Sequence, residues 1–228
     1  MTDSHERLQR IDLWQTATDP HLGRATTPDY QHLVAPEDSA RALQLRSDHD
    51  RSRFLTRRGF MRFVLAHYVD RDPRALTVGR RCNHCDNPNH GKPHLVEHPT
   101  IEFSASATRD LVVVAVSMQG PIGLDVETSI DVPDDDLPDL AKSAFTPGEA
   151  RYLGLNDATM TRAEFTAAFA AKEALGKADG RGLLVDITTI ADRWTVTAMS
   201  VTDTTCGALA SVGVPQVVER SSDIECSD

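Results

Sequence analysis

Apolar residues recur at helical spacing between Asp50 and Tyr68, at Phe54, Leu55, Met61, Val64, Leu65 and Tyr68. Phe54, Met61, Leu65 and Tyr68 share one face, and the arginines fall mostly on the others, which predicts an amphipathic helix. A shorter helix is predicted to start at Pro36-Glu37-Asp38, where proline and acids suit a first turn. Pro73 and Gly79 close this region. The run Leu111–Ser117 is apolar at consecutive positions and predicts a strand buried on both faces, central in its sheet. After the turn Gln119-Gly120-Pro121, residues 122–127 read as its hairpin partner. A helix is predicted from about Arg162 to Ala178, ending near Gly180 and Gly182. Two or three strands follow, near 186–190, 193–201 and 206–212. The first 35 residues read as irregular with at most one short strand, 80–99 as a loop rich in Cys, His and Asn, 131–140 as an acidic loop, and the last ten as frayed.

This order predicts an α+β protein divided near Ser117–Gly123. The expected units are an N-terminal half over 1–118, a C-terminal half over 119–216 and an unstructured tail over 217–228. The length, 228 residues, suits one large domain or two small ones. No apolar run reaches the roughly 18–20 residues of a membrane helix, and the first residues show no signal-peptide pattern. Four cysteines are too few for a disulfide scaffold, so a soluble cytoplasmic protein is expected. A formal charge of −10 argues against general nucleic-acid affinity. The charge is uneven: residues 41–92 carry 12 Lys/Arg and 5 Asp/Glu, half of all the cations in the chain.

Four stretches carry candidate chemistry. In Gly123-Leu124-Asp125-Val126-Glu127 the strand period sends Leu124 and Val126 to one face and Asp125 and Glu127 to the other. Two adjacent carboxylates repel unless a cation or proton lies between them; an edge strand with a solvated acidic face has the same spacing. In the helix predicted from about Arg162 to Ala178, Phe165, Ala168, Phe169, Lys172 and Gly176 form one stripe, with Glu173 and Lys177 one turn apart along its edge. That pair reads either as an ordinary surface pair or as a third carboxylate for a metal beside a lysine for a bound phosphate. Gly91-Lys92-Pro93 places a lysine on a turn, where it can face an anion. It follows Cys82-Asn83-His84-Cys85, which could begin a zinc site with His90 or His94. Phe103-Ser104-Ala105-Ser106 places two hydroxyls just before the central strand.

In this order, over roughly residues 33–212, these motifs resemble the 4′-phosphopantetheinyl transferases, in particular the longer monomeric type that activates peptide and polyketide synthases. The most specific matches are Gly123-x-Asp125-x-Glu127 and Lys172-Glu173-x-x-x-Lys177, with 44 residues between them. The resemblance implies a fold of two similar α/β halves about a pseudo-twofold axis, each a small, mostly antiparallel sheet packed on a long helix, with coenzyme A in the cleft. It implies transfer of the phosphopantetheine arm of coenzyme A to a serine of an acyl or peptidyl carrier protein. Asp125, Glu127 and Glu173 would hold Mg²⁺, and Lys177 would contact the pyrophosphate. Arg41, Arg53, Lys92, Ser104 and Lys172 would help hold the nucleotide. For the proton transfer Glu173 is favoured as base, with Glu127 second.

The sequence departs from the family at Ala105, where a histidine usually stands between the two serines, and at Phe169, where a tryptophan usually stands. His90 is expected to supply the contact that Ala105 lacks. No nucleic-acid or membrane partner is expected, and the resemblance implies a monomer. Two other readings compete: a family member that binds coenzyme A but transfers poorly, and a zinc-bearing interaction module built on Cys82 and Cys85.

Overall fold

The computed structural model describes residues 8–18, 29–82, 85, 87, 90–129, 132–156 and 159–220. Its elements follow from local signals. Helix α1 (Pro36–Ala42) opens on proline with Glu37 and Asp38 in its first turn, as expected. Helix α2 (Asp48–Val69) is capped by Ser47, whose side chain accepts from the Asp50 N–H. Helix α5 (Arg162–Asp179) starts at a Thr161/Glu164 capping box and ends at Gly180 in a left-handed conformation. Two short helices, α3 (Leu137–Ala144) and α4 (Pro147–Tyr152), lie between the long ones. α3 stands where the sequence suggested an acidic loop.

Among the described residues nine strands form three sheets: β1 (Leu8–Ala17), β2 (Val78–Arg81), β3 (Lys92–Leu95), β4 (Glu102–Ala107), β5 (Leu111–Ser117), β6 (Ile122–Thr128), β7 (Thr195–Thr202), β8 (Thr205–Ser211) and β9 (Val214–Arg220). The first sheet has the order β4-β5-β1-β9, the second is the pair β2-β3, and the third has the order β6-β8-β7. As expected, β5 is central, antiparallel to both β4 and β1. Its apolar side chains serve both faces. Val112, Val114 and Val116 pack with Phe60, Met61, Val64 and Leu65 of α2, whereas Val113 and Ala115 pack with Ile122, Leu124 and Val126 of β6. Ala170, Ala174, Leu175 and Ala178 of α5 pack on Ala208 and Ala210 of β8. The molecule is thus a mixed α+β fold in which one sheet backs α2 and another backs α5.

Four expectations are corrected. The N-terminal region holds a ten-residue strand, β1, which sits inside the first sheet and buries Ile11 and Trp14. Its polar look misled because Gln9 and Asp12 are also buried there, hydrogen-bonded to Ser117 and to Tyr68 and Arg220. β6 does not form a hairpin with β5; both edges of β5 are already taken, and β6 pairs with β8 instead. Residues Ile187–Thr189 form a 3₁₀ turn where a strand was expected. The tail expected from 217 begins later, because Val217–Arg220 complete β9, which runs parallel to β1. The rest of that tail lies outside the described residues. So do the expected irregular stretch over 19–28 and positions 83, 84, 86, 88 and 89 of the Cys/His/Asn loop.

Candidate functional site

The carboxylates are placed by a close approach between β6 and α5. A side chain at Gly123 would meet the Ala174 carbonyl oxygen at 2.0 Å and the Ala178 nitrogen at 2.4 Å, so only glycine lets the strand lie against the helix. Two residues along the same strand, Asp125 is brought beside Lys177, one turn after Glu173. Asp125 is 3% exposed. Its Oδ1 accepts from Lys177 Nζ and from Ser106 Oγ, the latter at 2.8 Å, while Lys177 also reaches Ser106 Oγ at 3.3 Å. The other oxygen, Oδ2, is buried without a hydrogen-bond partner among the described residues.

Glu127 and Glu173 share this field. Burial first, and then the Asp125 charge, push the Glu127 carboxyl up to about 7. Burial likewise raises Glu173; Lys177 opposes the shift and Asp125 adds to it. The Asp125 charge thus disfavours ionisation of both Glu127 and Glu173, with Lys177 as partial relief. The three acids do not form a closed ring of ligand atoms. Among the described residues, the Cys/His/Asp/Glu donors that all lie within 4.8 Å of one another are Cys82, Cys85 and His90. An open set suits Mg²⁺, which takes one or two carboxylates and completes its shell with waters and phosphate oxygens. The orphaned Asp125 Oδ2 is a ready donor for such an ion.

Lys177 also lines a cavity of about 270 Å³ whose walls come from α2, β2, β3, β4 and the end of α5. Arg57, Arg58, Arg80, Lys92, Lys177 and Arg181 all face it. Arg58 lies 3.3 Å from Asp38, Arg181 pairs with Asp179, and Lys92 donates to Glu102. Burial pulls Lys92 below the usual lysine range, although Glu102 opposes it. Arg80 donates to the Gly91 carbonyl at 3.0 Å. Arg57 has no acidic partner among the described residues; burial, then repulsion from Arg58, Arg53, Arg80 and Arg41, pushes it down to about 10, still charged at neutral pH. A half-buried guanidinium set amid like charges, with no acid to pair it among the described residues, favours the arrival of an anion.

The sequence-predicted residues divide. Asp125, Glu127, Glu173 and Lys177 come together, and His90, Lys92, Ser104 and Ala105 line the cavity beside them. The Ser104 hydroxyl is committed to the backbone, accepting from the Leu124 N–H at 2.9 Å, so it clamps β4 to β6. His90 places Nδ1 3.3 Å from Cys85 Sγ. Lys172, expected among the cofactor contacts, is turned away: Nζ donates to the Ala144 carbonyl at 2.7 Å and to Glu149 at 2.8 Å, beneath the Phe145 ring. Arg41 and Arg53 do not line the cavity; Arg41 lies over Phe54, and Arg53 pairs with Asp50. Arg57, Arg58, Arg80 and Arg181, which the sequence reading did not single out, line the cavity. The signal for two of them was present, because Arg57 and Arg58 fall on the same helical face as Phe54, Met61 and Leu65, where a solvated cation has no reason to be.

Comparison with known proteins points the same way. The sequence profile of the 4′-phosphopantetheinyl transferase superfamily matches residues 121–209, the stretch holding all three carboxylates and Lys177. The chain is 31% identical over 180 residues to slr0495 of Synechocystis sp., a protein that carries the name of a 4′-phosphopantetheinyl transferase; the match covers 77% of this chain and 67% of that one. It is 27% identical over 176 residues to the 4′-phosphopantetheinyl transferase HetI of Nostoc sp., covering 76% of this chain and 70% of HetI.

Proposed function

The chain belongs to the 4′-phosphopantetheinyl transferase superfamily, and on that premise we propose that it moves the phosphopantetheine arm of coenzyme A onto a serine of an apo carrier protein, releasing 3′,5′-ADP. The observation that carries this reading is the meeting, at Lys177, of a cation-lined cavity and a cluster of mutually repelling carboxylates. A coenzyme A–Mg²⁺ complex relieves both: its phosphates answer the arginines, and its cation answers the acids. In this reading α2 and α5, each backed by a sheet, are the counterparts across a pseudo-twofold axis.

The residues divide the work as follows. Arg57, Arg58, Arg80, Lys92 and Arg181 hold the phosphates of the nucleotide end, guanidinium forks suiting bidentate contact. Lys177 holds the pyrophosphate next to the acids. Asp125 and Glu127, with Glu173, would hold Mg²⁺, which when bound offsets charge on the pyrophosphate. The serine oxygen of the carrier attacks the phosphorus that bears the pantetheine arm, and the P–O bond to 3′,5′-ADP breaks. Glu173, whose affinity for protons is already raised, takes the serine proton.

The test is incubation of the protein with coenzyme A, Mg²⁺ and an apo carrier protein, with intact-mass spectrometry of the carrier. The expected result is addition of one phosphopantetheine at the serine, dependent on Mg²⁺. No addition on carriers that a known transferase modifies under the same conditions would overturn the proposal.

A further inference from the structure

The proposed transfer gives no role to Cys82 and Cys85 of the Cys/His loop. β2 and β3 pair with Arg81 opposite Lys92, so the chain leaves the ladder after Arg81 and re-enters it at Lys92. Gly91 has φ +94°, and a side chain there would strike Arg81 and Cys82 backbone atoms at 2.3–2.5 Å. The two ends of the loop are therefore drawn tightly together, which sets His90 beside Cys82 and Cys85. One ligand atom from each of these three residues lies within 4.8 Å of the other two, and Cys85 Sγ is 3.3 Å from His90 Nδ1.

We propose that this loop is a Zn²⁺ site with Cys82, Cys85 and His90 as its protein ligands. Zinc–sulfur bonds of about 2.3 Å and zinc–nitrogen bonds of about 2.0–2.1 Å in a tetrahedron put neighbouring donors roughly 3.5–3.8 Å apart. The three groups need to move little to reach that. Two thiolates and an imidazole suit zinc rather than magnesium or calcium. The fourth tetrahedral position is left for water or a further donor. The hairpin also has reason to need a staple, since four-residue strands in a two-stranded sheet are marginal alone. What the metal holds still is the cavity rim: His90, Gly91 and Lys92 line the cavity, and Arg181, another lining residue, lies near enough to Cys82 to interact with it. The role is structural, and it stands apart from the transfer reading; a chain that transferred nothing could still carry the ion.

The experiment is to reconstitute the reduced full-length chain with Zn²⁺, desalt it and measure metal by mass spectrometry, with Co²⁺ loading in parallel. About one zinc per chain is expected. Cys82→Ser and Cys85→Ser are each expected to lose it tenfold or more, while Cys206→Ser keeps it. Co²⁺-loaded protein should show thiolate-to-cobalt charge transfer and tetrahedral visible bands. His90→Ala should change the visible bands while thiolate charge transfer remains. Wild-type protein that takes up no zinc would overturn the proposal whether or not the variants fold. So would a stable Cys82–Cys85 disulfide in place of metal, or zinc retained by the Cys82→Ser/Cys85→Ser double variant.

Discussion

The α2 side of the cavity collects cations, whereas the β6–α5 edge beside it collects carboxylates, and the two are built differently. On α2, Arg57 and Arg58 rise from an apolar helical face and meet Arg80 and Arg181, with acids too few and too peripheral to pair them all. On β6 and α5, Asp125 is buried and fixed by Lys177 and Ser106, while Glu127 and Glu173 stand half-buried around it. On the proposed reading the first region tolerates some looseness, since several cations would share one diffuse anion. The second places few groups closely, and Asp125 Oδ2 has no hydrogen-bond partner among the described residues. Loss of a single group should therefore cost far more on the acidic side.

The sharpest way to break that contrast is to remove its carboxylates. Asp125→Ala and Glu127→Ala should each lower kcat/KM for transfer by at least about 100-fold, the scale of losing one preorganised electrostatic contact in an active site. Circular dichroism should show the fold retained. Asp125→Ala with near-normal transfer would remove the acidic cluster from the chemistry.

A second effect follows from proton competition at Glu127. Its folded value is raised from 4.5 to about 7, so the free protein favours the protonated form. The sign is that this group's contribution to stability is complete below about 4.5 and is lost as pH rises through about 7. If Mg²⁺ binds here as proposed it must displace that proton, so its apparent affinity should rise up to about tenfold per pH unit below 7 and level off above it. Glu127→Gln should flatten the stability slope between pH 4.5 and 7 in the metal-free protein, as followed by thermal melts. An unchanged slope in that variant would show that Glu127 ionises normally.

How much of this was legible in the sequence differs between the two regions for the same physical reason. Asp125, Glu127, Glu173 and Lys177 could be found because two short-range periodicities, two in a strand and 3.6 in a helix, decide which side chains share a face. Bringing β6 against α5 needed one more sign, Gly123, which was also visible. The cationic wall is assembled from α2, β2 and the turn after α5, and no local period links these. Basic residues were evident there, but Arg41 and Arg53 were chosen over Arg57 and Arg58, which the helical face itself marked. The fold shows the same limit. β5 and the helices carry their identity in local pattern, while β1 and β9, distant in sequence, form a parallel pair that neither strand announces.

The third prediction uses that wall. Arg57→Ala should raise the KM for coenzyme A about tenfold with little change in kcat, corresponding to about 1.5 kcal/mol for a charge-assisted contact among several. The penalty should shrink for coenzyme A lacking its 3′-phosphate if Arg57 serves that group. Arg41→Ala and Arg53→Ala, outside the cavity, should change KM less than twofold. A larger effect from Arg41 than from Arg57 would mean that the nucleotide lies along α1 instead.

The smallest effect on transfer is expected at Lys172, although it adjoins Glu173. Its side chain is 9% exposed and that of Glu149 is 1% exposed, and their 2.8 Å contact ties α5 to the start of α4. Glu149 is also the reciprocal half of the Thr146 capping box, and it accepts from the Ile187 N–H. The pair therefore fixes the acidic edge from behind and touches no group that faces the cavity. Lys172→Ala leaves Glu149 buried beside backbone donors alone, which should cost about 3 kcal/mol of stability, as breaking a buried pair does. A double change, Lys172→Met with Glu149→Gln, should recover part of that loss, because no charge is then buried unpaired. In both variants the kcat/KM of the folded fraction should stay within about twofold of wild type, since Lys177 and Asp125 act on Glu173 more strongly than Lys172 does. Denaturant melts and transfer rates on the same samples separate the two effects. A Lys172→Ala protein of normal stability that loses coenzyme A binding would place Lys172 in the site and reverse its assignment.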